Sequence, residues 1–277
     1  MKVALAFSSK NRLDLTKQTL PVPGEFDLFW NDGSTEATAR DYFEAAPTAS
    51  AKQRTRVTGG ADAAIVFSLC QMLADSSYTH VGLLENDVLL DKDWFEPTMA
   101  LFECGREDGL DVGAVSARAY EDRILVQRDG YALMHNLGAG HVIFTREAAQ
   151  RVLENYRTGW WPDNRAIFSH LTGLDIGRWA CFRAHNQWTT ADWHFDAVLA
   201  QHGMASLALT PSRVDMLGQS PSLAEQGLKL ATGAVEIFHN DEAFELYKLR
   251  SSMIRDGLWR PDIIRPVHRS SQANSYL

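Results

Sequence analysis

Short unbroken apolar runs alternate along this chain with longer stretches whose apolar residues recur every three or four positions. The unbroken runs predict strands at Val3–Phe7, Phe26–Trp30, Val81–Leu84, Val112–Ser116, Ile124–Val126, His141–Thr145 and Ala205–Leu209, with another near Arg54–Val57. Runs of this kind suit strands buried on both faces of a parallel sheet. The periodic stretches predict helices over Leu13–Leu20, Glu36–Ala46, Ala61–Leu73, Trp94–Cys104, Arg146–Tyr156, Asp192–Gln201 and Ala243–Arg255. Pro21, Pro23, Pro47, Gly105 and Gly203 read as stops, and Asp93 with Glu96 reads as a capping box. Strands and helices in alternation imply an α/β fold with a mostly parallel sheet between helices. The boundaries read as one domain over residues 1–218 and an extension over 219–277 that packs on it and ends in a frayed SSQANSYL.

The stretch THVGLLENDVLLDKDW, Thr79 to Trp94, organises the rest. Its apolar strand stops at Glu85, Asn86 and Asp87. Two residues apart on an extended chain, the Glu85 and Asp87 carboxylates point the same way, at the sheet edge where open α/β folds bind ligands. Oxygen ligands of this kind suit Mg2+ or Mn2+, which take one or two carboxylates plus substrate phosphates. A plain turn uses the same residue types.

Composition narrows the partners. The net charge of -8 argues against a nucleic-acid partner, because that binding depends on Lys and Arg neutralising phosphates. No stretch approaches the ~20 apolar residues of a membrane span. The 3 cysteines, Cys70, Cys104 and Cys181, form no CxxC pair and suit a reduced, cytoplasmic protein. From Gly159 to Trp193 the texture changes, with Trp160, Trp161, Trp179, Trp188 and Trp193 crowded among histidines and glycines. Flat rings suit sugar faces, so Trp161, Trp188 and Trp193 are candidate acceptor contacts, against the rival account of buried packing.

Taken in order, a first strand with a polar loop, a strand ending in NDGST, a GG-led helix, a strand ending in END, a GAG-led strand and ADWHFD opening a helix resemble the GT-A glycosyltransferases, family 2-like members in particular. The resemblance covers roughly residues 1–218. It implies a Rossmann-like sheet flanked by helices, an aromatic-rich acceptor loop region and a C-terminal helical extension. It also implies transfer of a sugar from a nucleotide-sugar donor, UDP-sugars ahead of GDP-sugars, to a glycan or other acceptor hydroxyl, with inversion and without processivity. Asn31, Asp32, Gly33 and Ser34 stand at the family's nucleotide turn, Glu85 and Asp87 at its metal-binding DxD, and Asp192 at the second residue of the ED pair that supplies the base. Ser8, Lys10, Asn11 and Arg12 after the first strand, with Asn86, join Asp32 and Gly33 as candidate nucleotide contacts. His239 is a candidate late metal ligand.

The chain departs from the family at Asn31, Glu85 and Ala191, each in place of a motif aspartate or acid. Asp192 also reads as a helix N-cap, and Asp196, one turn on, as a supporting or surface acid. Three rival functions stay open. A dinucleotide oxidoreductase lacks its GxGxxG turn, since FSSKNR follows the first strand. A sugar nucleotidyltransferase wants a glycine-rich basic phosphate loop there. A catalytically idle carbohydrate-binding relative is consistent with departures that fall on motif acids.

Overall fold

The structure, a computed structural model, describes residues 1–20, 22, 24–46, 51–54, 60–158, 160–176, 191–217, 241–261 and 267–268. Four parallel strands form one half of the central sheet: β1 (Val3–Ser9), β2 (Asp27–Asp32), β3 (Ala51–Arg54) and β4 (His80–Glu85). The other half holds β6 (Asp111–Ser116), β7 (Ile124–Gln127), β8 (Tyr131–Met134), β9 (His141–Thr145) and β11 (Met204–Leu209). The 9-stranded order is β3-β2-β1-β4-β9-β6-β11-β8-β7, and β8 and β9 run against the rest. Two small pairings stand apart, β5 (Val88–Leu90) with β12 (Val214–Met216) and β10 (Trp160–Trp161) with β13 (Val267–His268).

Alternation along β1 explains the two layers of core. Leu5 and Phe7 join one cluster with Trp30, Phe43, Val112 and Leu207, whereas Ala4 and Ala6 face the other with Val66, Leu69, Val81 and Phe144. Small alanines on that face let helix α3 (Gly60–Leu73) lie close against the sheet. Helices α1 (Leu13–Thr19), α2 (Ala37–Ala45), α4 (Phe95–Glu107), α5 (Arg146–Thr158), α6 (Asn164–Thr172), α7 (Ala191–Gln201) and α8 (Asp241–Arg255) complete the described set. In the parallel register Ser8 lies opposite both Asn31 and Glu85, and Ser9 opposite Asp32. The candidate residues of three strands therefore finish at one edge.

Several expectations are revised. β3 begins earlier, at Ala51, and meets the expected Arg54–Val57 run at Arg54; residues 55–59 lie outside the described set. Glu85 ends β4, while Asn86 and Asp87 form a turn into β5, so the two acids do not share one extended strand. The Asp93 capping box does not form: α4 begins at Phe95, no side chain caps it at Trp94, and Asp93 faces Arg213 at 3.8 Å. Nor does Gly105 end that helix. A Cβ there would come within 2.3 Å of Val112 Cγ2, so this glycine lets α4 approach β6, and the turn comes later at Gly109. Strand β8 and helix α6 went unread. β8 follows an Asp129–Gly130 turn, and α6 is capped by Asp163, which accepts from Arg165 and Ala166 N–H, then closed by Gly173 at φ 74. The aromatic texture around α6 concealed ordinary caps.

Helix α8 docks on the sheet through the Tyr247 hydroxyl, which donates to the Met204 carbonyl at 3.1 Å. The SSQANSYL tail lies outside the described residues. Among these residues no helix is long and apolar enough to cross a membrane.

Gly203, at φ +73, meets α8 so closely that an added Cβ would sit 2.4 Å from the Ser251 carbonyl oxygen, whereas Gly130, at φ +77, has nothing within 4 Å. Gly130→Ala should therefore cost about 1 kcal/mol, the left-handed penalty alone. Gly203→Ala adds a backbone clash and should cost about 3 kcal/mol or more. Urea unfolding of both variants checks the difference.

Candidate active site

The N-terminal part of the site is a buried polar knot rather than an open loop. Asp32 is 2% exposed, and its Oδ1 accepts from the Ser9 and Ser34 hydroxyls, both at 2.7 Å. Ser9 Oγ in turn accepts from Trp30 Nε1 at 2.8 Å, and Gly33 N–H donates to the Ser9 carbonyl at 2.8 Å. So placed, the Asp32 carboxylate shapes the turn from within. Asn31 is buried too and donates to Ser68 Oγ at 3.0 Å.

Asn11 and Arg12 follow with φ of 56° and 52°, in the left-handed region that residues with side chains avoid. Asn11 is held there on both sides: its N–H donates to Ser34 Oγ at 2.7 Å, and its Oδ1 accepts from Thr35 and Glu36 N–H at 2.8 and 3.1 Å. Asn86 adds a bond from Nδ2 to the Asn11 carbonyl at 3.3 Å and another to Thr16 Oγ1 at 3.0 Å. With those donors used inward and the residue 8% exposed, the Asn86 side chain braces α1. Lys10 is exposed, and Ser8 lines a cavity of about 30 Å³ with Glu85, Ala64, Ile65 and Ala139, room for a single water.

Two acids, Glu85 and Asp87, lie beside this knot, and the charge of a third, Asp192, reaches Glu85. Arg12 Nη1 bonds Asp87 Oδ2 at 3.1 Å, while Asp87 Oδ1 is buried and has no hydrogen-bond partner. Burial pushes the Glu85 carboxyl up to about 7, helped by the charges of Asp87 and then Asp192, with Arg12 pulling it down. Asp192 therefore acts on Glu85 from α7, more than a hundred positions later. Among the described residues no group of three or more His, Cys, Asp or Glu side chains is placed to hold a metal ion. A Mg2+ or Mn2+ that shares phosphate ligands needs fewer, and the bare Asp87 oxygen fits such an ion.

Helix α7 is fixed from several sides, which positions Asp192. Asp192 lies in the first turn, one residue inside the helix, so it is not the N-cap. Asp62 of α3 serves instead, accepting from the Ala191 N–H at 2.8 Å. Asn136 Nδ2 donates to the Asp192 carbonyl at 2.6 Å, and Asn164 Nδ2 to the Trp193 carbonyl at 2.9 Å. Asn136 is itself gripped by Arg123 Nη1 at 2.5 Å. Arg118 and Arg123 lie over the Tyr120 ring at 4.4 and 4.2 Å from its centroid. Burial raises the Tyr120 phenol, Arg123 and Arg118 pull it down, and Glu85 and Asp87 add smaller upward effects.

The aromatic candidates divide. Trp161 is 0% exposed, stacked on His194 with ring centroids 5.6 Å apart, so it is a core residue and offers no face to a sugar. Trp193 is half-buried with Arg123 over its ring at 4.9 Å. Trp188 and His239 lie outside the described residues. Sequence reasoning missed Asp62, Asn136, Arg123 and the Arg12 to Asp87 bond, which spans 75 positions and leaves no local signature.

No protein-family model matches the chain, and no curated protein matches it. Among solved structures it is similar to the crystal structure of S. aureus TarS, with a TM-score of 0.50 and 14% identity, over 93% of this chain and 43% of that one. It is also similar to S. aureus TarS 1-349 in complex with UDP-GlcNAc, with a TM-score of 0.49 and 12% identity, over 93% of this chain and 71% of that one. The chain thus spans less than half the length of the first TarS structure. At this identity the likeness concerns the fold alone, a mixed α/β architecture with a large, mostly parallel sheet between helices.

Asp196, which the sequence left between a supporting and a surface acid, is buried at 1% exposure, and its Oδ2 accepts from the Leu137 N–H at 3.2 Å. Burial pushes its carboxyl up to about 7, against the smaller opposing effects of the Ser206 hydroxyl, Leu137 and Arg123. A raised acid favours folding while protonated, so stability is lost as pH rises from the unfolded value through about 7. Between pH 5 and pH 8 the parent should lose roughly 2 kcal/mol relative to Asp196→Asn. Urea titrations at the two pH values measure this; equal pH dependence in both proteins contradicts it.

Proposed function

We propose that the chain is a glycosyltransferase that moves a sugar from a nucleoside diphosphate donor to an acceptor hydroxyl. The carrying observation is that Glu85 and the Asp32 turn finish at one sheet edge, with Asp87 next to Glu85 and the charge of Asp192 reaching it. Glu85 and Asp87 are the residues that would hold Mn2+ or Mg2+. When bound, such an ion offsets the negative charge that develops on the departing diphosphate. We infer that Asp192 takes the proton of the acceptor hydroxyl as that oxygen bonds the anomeric carbon and the carbon–diphosphate bond breaks. One displacement of this kind inverts the anomeric carbon. Asn136 and Asp62 would keep the Asp192 turn in place, and Asp32 would act on nucleotide binding through the shape of its loop.

UDP-sugars come first as donors, UDP-GlcNAc among them, and GDP-sugars second. The acceptor is a glycan or another hydroxyl compound, and the transfer is non-processive. Residues 1–218 would carry the reaction and 219–277 pack against them, in the cytoplasm, where the exposed thiols of Cys70 and Cys104 stay free.

A panel of UDP- and GDP-sugars with Mn2+, scored for slow donor hydrolysis, tests the reading. Nucleotide binding without turnover of any donor would support the idle relative instead. Asp87→Asn should weaken the binding of UDP in calorimetry with Mn2+, and EDTA should weaken the parent likewise; no change in either removes the metal.

Asp192→Asn should leave the melting temperature nearly unchanged, because Asp62 caps the helix. Transfer should fall by ~100-fold or more with donor affinity kept, since the lost interaction belongs to the transition state. A near-parental transfer rate removes Asp192 as the base.

A further inference from the structure

The Arg12 to Asp87 contact has features of a bond made to be exchanged. Asp87 is the inner partner, its side chain 14% exposed, whereas that of Arg12 is 44% exposed and can leave toward solvent. Only one Asp87 oxygen is used, and the other is buried and bare. A pair built for permanence would satisfy both.

The backbone aims the guanidinium. Two consecutive left-handed residues, Asn11 and Arg12, persist because Ser34, Thr35, Glu36 and Asn86 all bond Asn11. Backbone strain maintained by its surroundings tends to occur at functional sites. The Arg12 carbonyl meanwhile accepts from Leu15 and Thr16 N–H, both at 3.1 Å, at the start of α1. Its main chain is anchored while its side chain is free to turn.

Charge supplies the occasion for exchange. With Arg12 in place, the acids Glu85, Asp87 and Asp192 have a counter-charge when no other cation is present. A divalent ion would repel the guanidinium, and a diphosphate would offer it a planar, two-pronged partner.

We propose that Arg12 is the resident counter-ion of Asp87, which yields that carboxylate to a divalent ion and turns to the diphosphate of the donor. This rests on the metal and donor reading above and adds to it a coupling. Metal alone must displace Arg12 with no new partner for it, whereas metal with nucleotide supplies one. Each ligand therefore strengthens the other by the same factor.

Titration of Mn2+ by electron spin resonance, with and without UDP, tests the exchange in the parent, Arg12→Met and Arg12→Lys. The parent should bind Mn2+ weakly alone and more tightly with UDP. Arg12→Met should bind Mn2+ alone about five- to tenfold tighter, the size of one partly exposed ion pair, and gain less from UDP. Arg12→Lys should stay near the parent, and all three should melt alike. If the parent binds Mn2+ and Arg12→Met, folded, binds it no tighter, the counter-ion role is wrong while the metal site stands. If no protein takes up Mn2+ with or without UDP, the metal reading fails and the exchange with it.

Discussion

Like charges brought to one sheet edge are the constraint around which the rest of the site is arranged. Glu85, Asp87 and Asp192 come from a strand end, a turn and a distant helix, and their mutual repulsion adds to the burial that lifts Glu85. Such a cluster is unfavourable by itself, and the Arg12 guanidinium on Asp87 offsets part of the repulsion. The parallel register of β1 and β4 fixes Glu85, the turn that follows carries Asp87, and the packing of α7 fixes Asp192.

Rigidity around the cluster comes from polar groups that are spent on one another. Asp32, Ser9, Ser34 and Asn11 form a closed set of short bonds, and Asn86 connects it to α1. On the other side, Arg123, Asn136 and Asp62 hold the start of α7. Buried networks in which the partners are satisfied specify one arrangement. Satisfaction is incomplete: Asp87 Oδ1 at the edge and Asp196 Oδ1 beneath it are among the buried atoms without a hydrogen bond, as are Asn31 Oδ1 and Arg123 Nε. His141, whose ring is held near Ser116 and Ala117 and pushed down to about 3 by burial, is neutral and belongs to the frame.

The fold class was legible because strands buried on both faces leave unbroken apolar runs, and helices that cover a sheet leave periodic ones. Val3–Ser9, His80–Glu85 and Met204–Leu209 lie where those runs put them. β8 and α6 were missed because four buried residues after a turn, or a capped helix inside a tryptophan-rich stretch, carry too little periodic signal. Trp161 shows the same limit from the other side, since composition cannot tell a ring that stacks on His194 in the core from one that waits for a sugar.

For the candidate site, the amino-acid order by itself determined which acids stand at strand ends and in turns, because residue type and local pattern are properties of short segments. Only the tertiary structure decided what each does there. It turned Asp32 and Asn86 inward, gave the capping of α7 to Asp62, brought Asp192 into the field of Glu85 and set Arg12 on Asp87. These outcomes depend on contacts between residues far apart in the chain, whose energies come from burial and charge in three dimensions, and no local stretch of sequence contains them.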